Sequence, residues 1–211
     1  MSGGDSTPSV VHDATVITAV GPDVRVLPGH SLVFADGRIT ELLPAAGVTP
    51  RVADGEFERV FPGEGRLVIP GLVNGHHHLY QSLTRCLPAV QNRRLFDWLR
   101  GLYPYWRKLD RRAVYLAAQV SLAELLLHGC TTTNDHFYLR PPGSDIRLEA
   151  VLSAARELGM RLHLCRGSMT LGQSAGGLPP DDCIERDEDV LADCAAVLDC
   201  LLYTSPSPRD S

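Results

Sequence analysis

The sequence has little that would tie it to nucleic acid, to a membrane or to an oxidising compartment. Positive charge is in deficit: 20 Lys and Arg stand against 25 Asp and Glu, a net charge of −5. That balance leaves no electrostatic footprint for a nucleic acid or for an anionic lipid surface. No apolar run approaches the ~18 residues that a membrane span needs. The opening Met1-Ser2-Gly3-Gly4-Asp5 lacks the basic and apolar regions of a signal peptide. No Cys-x-x-Cys pair occurs among Cys86, Cys130, Cys165, Cys183, Cys194 and Cys200. Thiols scattered in this way exclude a disulfide framework and a zinc knuckle, and they read as reduced side chains of a cytoplasmic protein. What remains is ordinary: 211 residues, 44% hydrophobic and 21% charged, enough for one or two domains with a sizeable core.

The chain divides by pattern. Residues 1–12 are polar and rich in Gly and Ser, and read as a loose start. Ala14–Val20 is β-branched and reads as a strand, and Val24–Leu27 as a second. Ser31–Phe34 and Ile39–Leu42 flank Asp36-Gly37, which predicts a hairpin. Arg59–Phe61 and Arg66–Ile69 are further short extended pieces, so residues 1–66 are expected to form a β-rich lobe without catalytic residues.

Beyond residue 66 the pattern alternates. Leu72 begins a strand. Leu83–Lys108 carries Trp98, Tyr103, Tyr105 and Trp106, which suit either core packing or a lid whose aromatics stack on a flat ligand. Ala113–His128 has helical spacing, with Asp110 as N-cap and Gly129 in the C′ position. Thr131–His136 reads as a strand, Leu148–Leu158 as a helix ending before Gly159, and Arg161–Arg166 as a third strand. A Gly/Pro loop through residues 176–180 leads to a helix starting at Asp187. Strand–helix alternation of this kind predicts a parallel sheet in an α/β fold.

The stretch that organises the rest is Leu67–Ser82, LVIPGLVNGHHHLYQS. If the strand from Leu72 continues through the histidines, side chains alternate, so His76 and His78 share a face and His77 points away. Two imidazoles about 6–7 Å apart at Cα can lean onto one metal at about 2.0–2.1 Å. The alternative is a polar strand end with solvated histidines. A buried-type strand delivering His-x-His at its C-terminal end favours the metal, because parallel α/β folds place their sites there.

Pro70, Gly71, Leu72, Val73, Asn74, His76 and His78 meet the pattern Pro-Gly-Leu-Val-Asn-x-His-x-His, which resembles the first barrel strand of the amidohydrolase superfamily. Position 75, often Thr in that pattern, is Gly here. The likeness continues through SLAELLLHGCTTTNDHFYL and RGSMTLGQSAGGLPPD, and covers Asp13 to about Asp199. The resemblance implies a β-sandwich portion over 1–66, then the first three strands of a (β/α)8 TIM barrel over 67–199. It implies one divalent ion, expected to be zinc, with His76 and His78 as ligands. The remaining ligands and the proton-shuttling Glu of the family follow the fifth, sixth and eighth strands, beyond residue 199, so no general acid or base is named.

The implied activity is hydrolytic deamination of a small aminoheterocycle by a homo-oligomeric enzyme, best matched to the branch acting on 8-oxoguanine or hydroxytriazines. Guanine or cytosine, or another cyclic C–N bond, are alternative substrates within the superfamily, and a metal-binding protein without activity is the non-enzyme alternative. Three residues are candidate substrate contacts. Gln81 either meets a ring amide or is a solvated loop amide. His136 ends the second strand at the same face or is a structural histidine. Arg166 ends the third strand and either binds an oxo group or forms a surface ion pair. His163, on the opposite face to Arg166, reads as structural, and His12, His30 and His128 as surface residues. From Cys200 the chain reads CLLYTSPSPRDS, which breaks the helical pattern and resembles a translated transposase adapter. Residues 200–211 are accordingly expected to add nothing to fold or function.

Overall fold

A computed structural model describes residues 6–20 and 23–204. The chain forms two compact units, residues 1–70 and 71–211.

The first unit is a five-stranded mixed sheet. Its strands are β1 (Ser9–Val20), β2 (Asp23–Ala35) and β3 (Arg38–Pro44), followed by helix α1 (Ala45–Ala53), then β4 (Val60–Pro62) and β5 (Leu67–Val68). The order is β3-β2-β1-β4, with β5 also on β1. Asp36 and Gly37 both have positive φ, +50° and +72°, and turn β2 into β3 across the Ala35–Arg38 pair. The two strands expected on either side of Pro28-Gly29 are one strand. Gly29 at φ +62° absorbs the irregularity, opposite a bulge in β1 where Asp13 has φ +59°. Order also begins earlier than the composition suggested, since β1 starts at Ser9. Helix α1 has little sequence signal, because Gly47 and Pro50 both lie inside it. It is held by packing: Val48 is fully buried with Val10, Val33 and Phe57. The expected boundary at residue 66 moves to residue 70, because β5 pairs in parallel with β1.

The second unit is built on a three-stranded parallel sheet, β6-β7-β8. Strand β6 (Leu72–Asn74) is followed by a 3-10 turn at Leu79–Thr84 and by α2 (Leu95–Trp106) and α3 (Arg111–Leu127). Then come β7 (Cys130–Phe137), α4 (Glu149–Leu158), β8 (Arg161–Arg166) and α5 (Asp187–Thr204). Gly71 admits no side chain, since a Cβ there would collide with Thr131. Alternation along β7 sends Thr133, Asp135 and Phe137 to the buried side and Thr132, Asn134 and His136 to the open side. The buried side packs on the helices through Leu79, Tyr80, Leu102, Trp106, Leu122 and Val151. Trp106 and Tyr103 are in this core and Trp98 packs on it, which answers the aromatic segment in favour of packing. Helix α5 runs to Thr204, into the segment expected to be irregular, and residues 205–211 lie outside the described residues.

Helix α3 matches its sequence signals. Asp110 Oδ1 accepts the Ala113 N–H at 2.7 Å, and Asp145 Oδ1 accepts the Arg111 N–H at 2.9 Å. Gly129 follows with φ +81°. Asp110→Ala is expected to lower stability by about 1 kcal/mol, read as a shifted denaturation midpoint with an unchanged slope.

Candidate metal and substrate site

Strand β6 ends at Asn74, so the three histidines lie on the turn that follows it rather than in the strand. The turn is nevertheless ordered. Asn74 Oδ1 accepts the His76 N–H at 3.2 Å, and the His78 carbonyl accepts the Gln81 N–H at 3.0 Å. His77 lines the same hollow as His76 and His78, together with Gln81, Ser82 and Arg85, so it is not turned cleanly away as alternation predicts. The His76 and His78 rings are edge to face with centroids 4.9 Å apart. His77 also borders a separate hollow lined by Asn74, Arg85, Ser121, Glu124 and His128.

His78 is the better fixed of the pair. Its Nδ1 is 2.7 Å from the carbonyl oxygen of His136. A carbonyl only accepts, so Nδ1 carries the proton and Nε2 presents a lone pair. Burial, opposed by the hydrogen bond to the His136 carbonyl and helped by smaller pushes from the His76 and His136 rings, holds the His78 pKa below its ordinary value and so favours the neutral ring. Neutral imidazole with a free Nε2 beside a second imidazole is the donor chemistry of a divalent metal site, and the outer hydrogen bond that fixes such a ligand is present. No group of three or more His, Cys, Asp or Glu placed to hold a metal occurs among the described residues. The pair fits two ligands of a site whose other ligands must come from elsewhere.

The neighbours are aromatic. His136 and Tyr138 ring centroids lie 5.5 Å and 5.2 Å from that of His78. Gln81 Nε2 reaches the Tyr138 hydroxyl at 3.4 Å. A Cβ at Gly167 would collide with the His136 ring, so glycine at the end of β8 leaves that ring its place. His76, His78, Gln81 and His136 are thus brought together. Tyr138 was not anticipated, although it lies two residues beyond His136 and alternation puts the two on one side. Asp135, for which the sequence leaves open either facing away from the barrel or orienting a neighbouring histidine, points to the buried side, where Oδ1 accepts the Leu79 N–H at 2.9 Å. Burial raises its pKa to about 7.

Arg166 lies apart from this group. On β8 it shares a face with Leu162 and Leu164, which pack on the helix side. Its guanidinium is buried against Glu185 and, through Nε, Asp193 at 2.8 Å, and Nη1 also meets the Gly167 carbonyl. Asp193 in turn pairs with Arg140 at 2.7 Å. The expectation of an oxo-binding arginine is revised: the charge is already neutralised, in an ion pair that is buried rather than at the surface. His163 falls on the open side of the sheet with His136, because its register partner Asn134 shares that side and donates to Cys165 Sγ at 3.2 Å. His12 is not an isolated surface residue either, since Nδ1 meets Ser31 Oγ at 2.9 Å. The cysteines Cys86, Cys130, Cys165, Cys183 and Cys194 are all free thiols. No helix among the described residues is long and apolar enough to cross a membrane.

Paired histidines after the first strand of a parallel sheet, with the second pinned by the next strand, agree with a family match over residues 67–199, described as the amidohydrolase family. The chain belongs to the amidohydrolase family. Among curated members, 8-oxoguanine deaminase of Pseudomonas aeruginosa is 45% identical over 178 residues, 84% of this chain and 38% of that protein. Hydroxydechloroatrazine ethylaminohydrolase of Pseudomonas sp. (strain ADP) is 35% identical over 175 residues, 80% of this chain and 36% of that protein. Among solved structures, atrazine chlorohydrolase from Arthrobacter aurescens complexed with zinc superposes with a TM-score of 0.81 at 30% identity, over 95% of this chain and 44% of that one. The chain therefore spans less than half the length of these amidohydrolase relatives.

Proposed function

We propose that the whole protein carrying this chain is a metal-dependent aminohydrolase that converts 8-oxoguanine and water to urate and ammonia. The observation that carries the reading is His78, neutral, with Nδ1 pinned and Nε2 free beside His76. The 45% identity to 8-oxoguanine deaminase supports the substrate. In this reading β6, β7 and β8 are the first three strands of a (β/α)8 barrel, and the first unit is part of a β-sandwich. The remaining ligands and the general base belong to the rest of the protein, which is expected to be a homo-oligomer working in the cytoplasm.

His76 and His78 would hold the ion through ring nitrogens. Zinc is the expected metal, because the atrazine chlorohydrolase neighbour is complexed with it. A bound divalent ion lowers the pKa of its water to about 7. The chain's own residues do the rest of what is visible here. The His136 carbonyl keeps the His78 proton on Nδ1. Gln81 offers an amide to the oxo or ring-nitrogen edge of a flat heterocycle, held toward Tyr138 by its weak hydrogen bond. The His136 ring and Tyr138 supply a wall on which such a ring can rest.

A second reading has its own support. The ethylaminohydrolase relative and the chlorohydrolase neighbour are both named for triazines, which makes a hydroxytriazine the rival substrate. An ammonia- or amine-release screen of the full-length protein over 8-oxoguanine, guanine, cytosine, adenosine and a hydroxytriazine separates them. Turnover is expected to be fastest on 8-oxoguanine. A site built to bond a substrate group rejects analogues lacking it by about 10⁴–10⁵. Activity confined to cytosine or adenosine would overturn the purine-oxo reading and leave the metal chemistry standing.

A further inference from the structure

The turn that carries the histidines has no regular ladder. It lies between the end of β6 at Asn74 and the 3-10 turn at Leu79. A metal ligand needs its ring fixed to a fraction of an ångström, so something other than strand pairing must fix the backbone here. Two adjacent residues of β7 contact three successive residues of the turn. The His136 N–H donates to the His77 carbonyl at 2.9 Å. The His136 carbonyl accepts from His78 Nδ1 at 2.7 Å. The Asp135 carboxyl accepts from the Leu79 N–H at 2.9 Å. The first two bonds come from the backbone of a strand and are open to any residue at position 136. The third depends on a side chain.

That side chain is expensive to keep. Asp135 is fully buried, and its Oδ2 has no hydrogen-bond partner. A desolvated carboxyl with one oxygen unmatched costs stability, and an apolar residue of similar size would remove that cost. Its one partner is the amide immediately after His78. Ser121, also buried, donates to the carbonyl of the same residue at 3.3 Å, so both backbone polar groups of Leu79 are gripped by buried side chains. Leu79 itself is fully buried and opens the 3-10 turn that leads to Gln81.

We propose that Asp135 is a positioning residue for the metal ligand His78: it holds the Leu79 amide and thereby fixes the backbone from which the His78 ring reaches the metal. The role rests on the reading of His76 and His78 as ligands. It assigns Asp135 no contact with substrate or metal. It also explains why the carboxyl sits on the helix side of β7, away from the site, while its neighbour His136 faces the site.

The test uses the full-length protein, with zinc affinity measured by competition against a chromophoric chelator and the cobalt-substituted protein followed by its visible spectrum. Asp135→Ala is expected to lower affinity by about 10–100-fold, the usual loss when an outer partner of a ligand is removed. Asp135→Leu, which removes the acceptor without leaving a large cavity, should show the same loss and covers the case in which the alanine variant fails to fold. Asp135→Asn keeps an acceptor oxygen toward Leu79 and should recover most of the affinity. The cobalt bands should shift in Asp135→Ala and return in Asp135→Asn. Zinc affinity and bands unchanged in all three variants, with metal lost in His78→Ala, would overturn the positioning role and leave the metal reading intact. Equal losses in the asparagine and leucine variants would overturn it too, because rescue by the acceptor is its signature. Unchanged affinity in His78→Ala would instead bring down the ligand assignment itself.

Discussion

In the full-length protein, His76→Ala and His78→Ala are each expected to lose the bound metal on dialysis, while His77→Ala retains it. All three histidines border one hollow, so the difference rests on their ring contacts and hydrogen bonds. His76 and His78 meet edge to face, and His78 is held with its Nε2 lone pair free. His77 also borders a hollow with Glu124 and His128 on the α3 side, and its buried Nδ1 has no partner. Removing a direct ligand should cost more affinity than the ~10–100-fold attached to an outer partner, and deamination should fall with occupancy. His77→Ala is expected to act on stability instead, since His77 is half-buried and its backbone carbonyl, which binds the His136 N–H, is retained in the variant. Metal content by mass spectrometry on dialysed protein, with melting curves beside it, reads both effects. Loss of metal in His77→Ala with retention in the other two would show that the ligand pair has been assigned to the wrong rings.

The histidine pair was legible in the sequence because two different backbones give the same result. Strand alternation and the observed turn both bring the His76 and His78 rings together, so that contact did not depend on the strand lasting to His78, although His77 borders the same hollow. The parallel alternation was legible for a similar reason: Asp110, Gly129 and Gly159 are local punctuation, and each acts where local chemistry alone decides. Helix α1 was hidden because Gly47 and Pro50 weaken its propensity and only burial of Val48 restores it. Asp135 was left undecided because a carboxyl between Asn134 and His136 has no sequence mark for the partner it finds, an amide 56 residues earlier. The choice between an oxo-binding and an ion-paired Arg166 was open for a related reason. Alternation gave its face relative to His163 correctly, but which face looks inward depends on where the helices pack, and Glu185 and Asp193 lie 19 and 27 residues downstream.

Arg166 carries the other large expected effect, and it falls on stability rather than on substrate recognition. Its side chain is 6% exposed, and those of Glu185 and Asp193 are 5% and 9% exposed. One guanidinium serves both carboxylates, with Nη2 on Glu185 and Nε on Asp193, while Arg140 takes the other oxygen of Asp193. Arg166→Met keeps much of the volume but leaves Glu185 buried without a counter-charge. Breaking a buried pair from one side costs about 3–5 kcal/mol, a large share of the ~5–15 kcal/mol that holds a domain together. Arg166→Lys should recover little, because a single ammonium cannot reproduce the two directed contacts. The double variant Arg166→Met with Glu185→Leu should be more stable than Arg166→Met alone, since it removes the stranded charge and Asp193 keeps Arg140. Denaturation midpoints of the four proteins measure this directly, and KM for the surviving folded variants is expected to stay near that of the parent. A variant Arg166→Met that melts with the parent but binds substrate poorly would return the guanidinium to the substrate pocket.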